Sequence, residues 1–307
     1  MGRRRTGKPI HGWIAIDKPL GMTSTDVVTR VRRLTGAAKV GHGGTLDPLA
    51  SGVLPIALGE ATKTVAYVMD GAKCYRWSVT WGEARSTDDA EGVVVAQSDV
   101  RPQPAEIEAA LAGFLGQIEQ IPPAYSAVKI GGQRAYDLAR ADQPVVLTPR
   151  IVRIDRFALV EAGSDWATFE VGCGKGAYIR SLARDLAKVL GTVGYVSYLR
   201  RTRCGPFDET GAISLDMLED FGHSAASANL VLPVKTALDD IPALALTEDE
   251  ARRLQNGQVL SAIRLTSQIS DPSISAGIAV RAMAEERVVA LARIEDGEVR
   301  PIRVLNL

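Results

Sequence analysis

Asp47 is the only carboxylate in the stretch "VGHGGTLDPLASGVLP", Val40 to Pro55, with glycines on one side and Pro48 directly after it. A residue before proline is pushed out of the helical region, so Asp47 is expected in extended backbone rather than as a helix cap. Gly41, Gly43 and Gly44 allow close backbone approach. Two roles suit such an aspartate. It is a standard turn former, and an ionised carboxylate held in the open is a nucleophile. Taken alone, the loop favours the turn.

Other stretches with chemical potential are weaker. "GCGKGAYIR", Gly172 to Arg180, satisfies G-x-G-x-x-A but lies late in the chain and outside a βαβ unit. No acid follows about twenty residues on to meet a ribose, so a dinucleotide site is disfavoured. Lys175 is not followed by Ser or Thr, which excludes a Walker loop. From Arg180 to Arg203 six Lys or Arg residues face one acid, Asp185. Within that run "YLRRTRCG", near Tyr195 and Tyr198, suits phosphate contact with stacking groups. Lys129 and Arg134 add to this, and Arg3, Arg4 and Arg5 form a basic arm. His42 has no Ser or Cys elbow to serve, and His11 and His223 are isolated. Asp88, Asp89 and Glu91 in "RSTDDAEG" read as a polar turn rather than a divalent site.

The chain that must position these groups has 307 residues, 46% of them hydrophobic, 23% charged and 5% aromatic, with zero formal net charge. Wholesale electrostatic capture of nucleic acid is excluded, though a local basic face is not. Cys74, Cys173 and Cys204 are scattered, so neither a disulfide framework nor a zinc ribbon is encoded. No secretory h-region follows the basic start, and no apolar run reaches spanning length, so the expectation is a cytoplasmic protein without membrane contact.

"GWIAIDK" reads as a strand, and the following segment as an amphipathic helix capped by Ser24 or Thr25 and stopped at Gly36. "VLPIALG", "CYRWSVTWG", "GVVVAQ", "RIVRIDRFALVEA" and "WATFEVGCG" are strands. Residues 104–116 and "AYIRSLARDLAKVLG" are helices, the second with Ile179, Leu182, Leu186 and Val189 on one face. Strands without regular βα alternation predict an α+β domain with a mostly antiparallel mixed sheet. The segment "IPPAYSAVKIGGQRAYDLARADQPV", rich in Pro, Gly, Lys and Arg, reads as extended and irregular, a kind that is functional or disordered rather than structural. After a boundary near 236, a helix at "LTEDEARRLQNG" and strands joined by an Asp296-Gly297 hairpin predict a small β-barrel.

"IDKPLGMTS", "VGHGGTLDPLASGVLP", "GEATK", "KCYRW", "PPAYSAVKIGGQRAYDLAR", "GKGAYIRSLARDLAKVLG" and "GYVSYLRR" follow one another from Ile16 to Pro206 and resemble the bacterial TruB family of tRNA pseudouridine synthases. Gly43 departs from the family pattern, which has Thr there, and should affect loop packing more than chemistry. The resemblance implies a catalytic domain over 11–235 with an RNA-closing loop at 121–150, preceded by the arm 1–10 and followed by a PUA-like module over 236–307. It implies isomerisation of uridine 55 in the tRNA T loop, by a monomer, with no cofactor and no metal. Asp47 is then the catalytic carboxylate, paired with Arg180, a cation that favours the ionised form. Tyr75 stacks on the flipped base and assists proton removal at C5. Leu199 walls the pocket, and His42 helps to recognise or extrude the base. Tyr178, Lys18, Lys63 and Asp89 are further substrate-binding candidates, as are Lys129, Arg134 and Arg200 from the basic stretches. The alternative is a tRNA-binding or tRNA-folding protein of the same fold that has lost turnover.

Overall fold

The architecture is that of a computed structural model, which describes residues 7–126, 128–135, 138, 141, 143, 146–221, 230–262 and 277–307. In chain order its strands are β1 (Gly12–Lys18), β2 (Val40–His42), β3 (Ala50–Leu58), β4 (Lys73–Trp81), β5 (Glu83–Arg85), β6 (Val94–Gln97), β7 (Gly116–Gln120), β8 (Lys129–Ile130) and β9 (Gln133–Arg134). Then follow β10 (Arg150–Ala162), β11 (Trp166–Cys173), β12 (Gly194–Cys204) and β13 (Phe207–Asp208). The remainder are β14 (Ala243–Ala245), β15 (Leu260–Ser261), β16 (Ala279–Ala284), β17 (Arg287–Glu295) and β18 (Glu298–Val304).

The main sheet runs β1-β3-β12-β4-β11-β10-β7, with β2 beside β3 and β13 beside β12. Along that path only β3 and β12 are parallel. This is the mostly antiparallel mixed sheet that the pattern of elements predicts. On β4 the alternate residues Trp77, Val79 and Trp81 are buried, while Arg76 on the other face is exposed. Trp77 stacks on Phe169 at 4.7 Å, and Phe157 closes against both rings. A buried Phe contributes roughly 1.5–3 kcal/mol, so this cluster anchors the sheet's covered face. The helix Ile179–Val189 lies over that face because Ile179, Leu182, Ala183, Leu186 and Ala187 recur at helical spacing and are all buried.

Two elements differ from the sequence reading. The first helix is capped by Thr23, not Ser24 or Thr25, because Thr23 and Asp26 form a reciprocal capping box and Ser24 turns inward. The helix expected over 104–116 ends at Leu111, a 3-10 turn follows, and Gly116 begins the edge strand β7.

The C-terminal sheet runs β14-β16-β17-β18-β15 and packs on the helix Glu248–Gln255. Among the described residues its end strands, three and two residues long, do not pair, so it is an open sheet rather than a closed barrel. The Asp296-Gly297 turn joins β17 to β18 with positive φ at both positions, as a primed turn requires. An apolar seam joins the two sheets: Trp13, Val53 and Phe207 meet Val288, Leu291 and Leu305. Trp13 also exchanges two backbone hydrogen bonds with Leu232. Among the described residues no helix is long and apolar enough to cross a membrane.

Candidate active site

The Asp47 loop leaves β2, turns, and enters β3. Asp47 begins a turn with Pro48 next, closed by the Ala50 amide donating to the Asp47 carbonyl at 3.0 Å. The turn reading is therefore correct, and it describes the backbone only. Three buried side chains from three elements hold the rest of the loop. Arg201 of β12 donates to the carbonyls of Gly44 (3.0 Å) and Thr45 (3.4 Å) and, through Nε, of Val53 (2.8 Å). Ser24 brackets Leu46, accepting from its amide at 2.8 Å and donating to its carbonyl at 3.1 Å. Lys18 Nζ donates to the carbonyls of Pro19, Met22 and Pro48. Gly52 is required beside this arrangement: at φ +99° a Cβ there would stand 2.2 Å from the Arg201 carbonyl oxygen. At Gly43 a Cβ would stand 2.8 Å from Val68 Cγ1, so Val68 occupies space that a larger residue would need.

So held, Asp47 projects into a cavity of about 300 Å³ lined also by Lys73, Tyr75, Tyr178, Arg180, Leu199 and Arg201. Arg180 stands at the N-terminus of its helix and is 4% exposed. Its Nη2 lies 2.8 Å from Asp47 Oδ2, and its Nη1 lies 3.4 Å from Asp89 Oδ2. The same guanidinium donates to the Thr87 carbonyl at 3.1 Å and the Tyr125 carbonyl at 2.9 Å. It is thus fixed from several sides, and one oxygen of Asp47 is oriented by it. Asp89 is itself buried and accepts from the Thr87 hydroxyl and the Glu91 amide. Gln120, at the end of β7, grips the Tyr178 backbone, accepting from its amide (2.8 Å) and donating to its carbonyl (3.1 Å).

The site's electrostatics follow from this burial. Lys18, Lys73 and Arg201 are all under 9% exposed, and among the described residues none has a carboxylate partner; backbone carbonyls hold them. Burial lowers the Lys18 ammonium to about 8, with the Asp47 charge opposing. Burial likewise lowers Lys73, and it lowers His42 with help from the Arg201 charge. Burial raises Asp89 against the Thr87 hydrogen bond and Arg180. It also raises Tyr75, so the phenol stands protonated at neutral pH, with Arg201 pulling the other way. Among the described residues no three His, Cys, Asp or Glu side chains are grouped to hold a metal ion.

The family model of the "TruB family pseudouridylate synthase (N terminal domain)" matches residues 32–179, which contain Asp47, Tyr75 and Asp89. That of the "tRNA pseudouridylate synthase B C-terminal domain" matches 180–239. The chain belongs to the TruB family. It is 59% identical to the tRNA pseudouridine synthase B of Rhodospirillum rubrum, all of both chains being covered. It is 56% identical to that of Gluconacetobacter diazotrophicus, covering 99% of this chain and 100% of the other. Among solved structures it is similar to a chain of a Cbf5-Nop10-Gar1 complex, with a TM-score of 0.76 at 26% identity, covering 100% of this chain and 90% of that one.

On this TruB-family scaffold the residues singled out in the sequence separate into three groups. Asp47, Tyr75, Tyr178, Arg180 and Leu199 line one cavity, and Asp89 supports it through Arg180. Lys18 and His42 lie behind the loop. Lys18 is fully buried with its Nζ bonded to three carbonyls, so it holds the loop and presents nothing to a ligand. His42 Nδ1 accepts from the Gly44 amide at 3.4 Å. Lys63 and Arg200 lie elsewhere. Lys63 bonds Glu60 and the Val304 carbonyl in a cleft beside Lys39 and Arg303, at the seam with the C-terminal sheet. Arg200 faces away from the cavity, paired with Asp17 and Glu209. "YLRRTRC" is a sheet strand whose three arginines differ: Arg201 is buried, Arg200 is paired with Asp17 and Glu209, and Arg203 is exposed with its Nε on the Gly205 carbonyl. Lys129 and Arg134 sit opposite each other in the β8–β9 hairpin, and their side chains lie outside the described residues, as do Arg3, Arg4, Arg5 and His223. Ser24, Gln120 and Arg201 are the site residues that sequence reasoning missed.

Proposed function

We propose that the chain converts uridine 55 in the T loop of tRNA to pseudouridine, acting as a monomer on the T arm. The observation that carries the reading is the Arg180–Asp47 pair at 2.8 Å, set in a cavity with Tyr75 and Leu199. The names of the relatives and the family supply the substrate class. The reaction breaks the N1–C1′ bond, turns the base and rejoins C1′ to C5, with no net redox change. It needs a nucleophile at the sugar or base, a platform for the base, and a route for the C5 proton. Asp47 supplies the nucleophile: Arg180 orients one oxygen and leaves the other for the substrate. Extruding the base costs a few kcal/mol. Stacking on Tyr75 returns about 1–3 kcal/mol, enough to offset much of it. A phenol kept protonated by its surroundings is suited to stacking and to relaying the C5 proton, rather than to standing as a resident phenolate. Leu199 fills the wall beside the base and helps to exclude water.

The segment 121–126 is tied to the catalytic helix: Ser181 and Arg184 both donate to the Ile121 carbonyl, and Arg180 to that of Tyr125. We read 121–150 as the part that closes over the RNA and the open C-terminal sheet as a PUA-like accessory. The test is to incubate the enzyme with unmodified tRNA transcripts and map pseudouridine. One T-loop uridine should be converted, and replacing it by cytidine should abolish all product. Conversion scattered over several loops would refute the site assignment.

A further inference from the structure

Arg201 is 1% exposed and lines the cavity. It pairs across the sheet with Gly52 on one side and Tyr75 on the other, so its side chain rises between the Asp47 loop and the tyrosine. Its guanidinium bonds the carbonyls of Gly44 and Thr45, three and two residues before Asp47, and it lines the cavity beside Tyr75, its cross-strand neighbour. Nε is anchored on the Val53 carbonyl, in the strand into which the loop leads. A buried cation without a carboxylate partner is costly unless its donors are matched. A planar guanidinium spreads its donors over the Val53 carbonyl at Nε and the two loop carbonyls at its two terminal nitrogens, a span that the single nitrogen of an ammonium does not cover.

The geometry points to Arg201 as a positioning residue that sets the aim of Asp47 and Tyr75 together. The inference rests on the isomerase reading and deepens it. It assigns Arg201 no contact with the reacting atoms. Without the planar fork the loop and the phenol lose their common reference, and a displacement of about 1 Å costs on the order of 100-fold in rate.

The test is Arg201→Lys, which keeps the charge and loses the fork. Single-turnover pseudouridine formation should slow by about 100-fold, while the Kd for unmodified tRNA stays within about threefold. Exchange of the Leu46 amide, which bonds Ser24, should quicken by about tenfold, a readout that needs no turnover. A rate within threefold of the wild type would overturn the proposal. So would a Kd that weakens in step with the rate, which would make Arg201 an RNA contact. If Arg201→Lys does not fold, Arg201→Gln takes the same test, and failure of both to fold makes Arg201 a folding residue and overturns the proposal. A wild type that modifies no tRNA would refute the isomerase reading, whereas Leu46 exchange still reports on Arg201.

Discussion

Arg200 and Arg201 are consecutive in β12 and point to opposite faces of one sheet. Arg200 is partly exposed and is neutralised by Asp17 and Glu209. Arg201 is buried and held by carbonyls, and Lys18 and Lys73 are held in the same manner nearby. On the outer face the arginine is thus met by carboxylates, whereas the inner face keeps an excess of fixed positive charge around Asp47. Balanced surface pairs contribute little, about 0–1 kcal/mol, and can be exchanged. Buried donors aimed at a loop are orientation devices, and their effect belongs in the rate.

That contrast orders the expected effects of substitution. Arg180→Met leaves Asp89 buried without its cation and should lower stability by about 3–5 kcal/mol in a denaturant titration. The loss of turnover should be larger still, because Asp47 also loses its partner. Arg180→Lys retains charge but cannot meet both carboxylates and two carbonyls, and its single-turnover rate should fall on the order of 100-fold. Lys18→Met removes the tie to the Pro48 carbonyl, with an expected rate loss of about tenfold and unchanged tRNA affinity. Arg200→Gln, on the outer face, should stay within threefold of the wild type in rate and within about 1 kcal/mol in stability. A large rate effect there, equal to that of Arg180→Lys, would erase the distinction between the faces.

The same contrast has a pH signature. Lys18 has a folded value near 8, below its ordinary 10.5. Between pH 8 and about 10 the unfolded chain holds a proton that the native chain has released, so this group's contribution to stability rises with pH. Neutral Lys18 has two donors for three carbonyls, so the loop loosens over that window. Turnover should therefore decline above pH 8 without a Lys18-driven loss of stability, and Lys18→Met should flatten the decline. A rate profile that is identical in the variant would show that Lys18 does not govern it.

The sequence was legible where local rules act. Pro48 and the glycines marked the loop and its turn, the alternation in "KCYRW" put Tyr75 and Trp77 on one face, and helical spacing put Arg180 at the head of a buried helix. Arg201 was hidden by a break in alternation. A bulge between Val196 and Tyr198 shifts the register of β12, so that buried Val196 is followed by buried Leu199 and Arg201. Strict alternation from Val196 would send Arg200 inward and Arg201 to solvent, the reverse of what occurs. Ser24 was hidden for a related reason. It sits where a cap is expected, yet Thr23 takes that role and frees Ser24 to bond Leu46. Lys18 and Lys63 stood alike as substrate-binding candidates, and only tertiary packing tells a lysine under the loop from one at the seam.

Every tie to residues 44–48 serves to present the Asp47 carboxylate. That role is tested most directly by single turnover on prebound unmodified tRNA with Asp47→Asn, which preserves shape and removes the charge. The expected result is no pseudouridine at the T-loop uridine with a Kd within about threefold of the wild type, because the ties and the stacking platform remain. Measurable pseudouridine formation by Asp47→Asn would contradict the account.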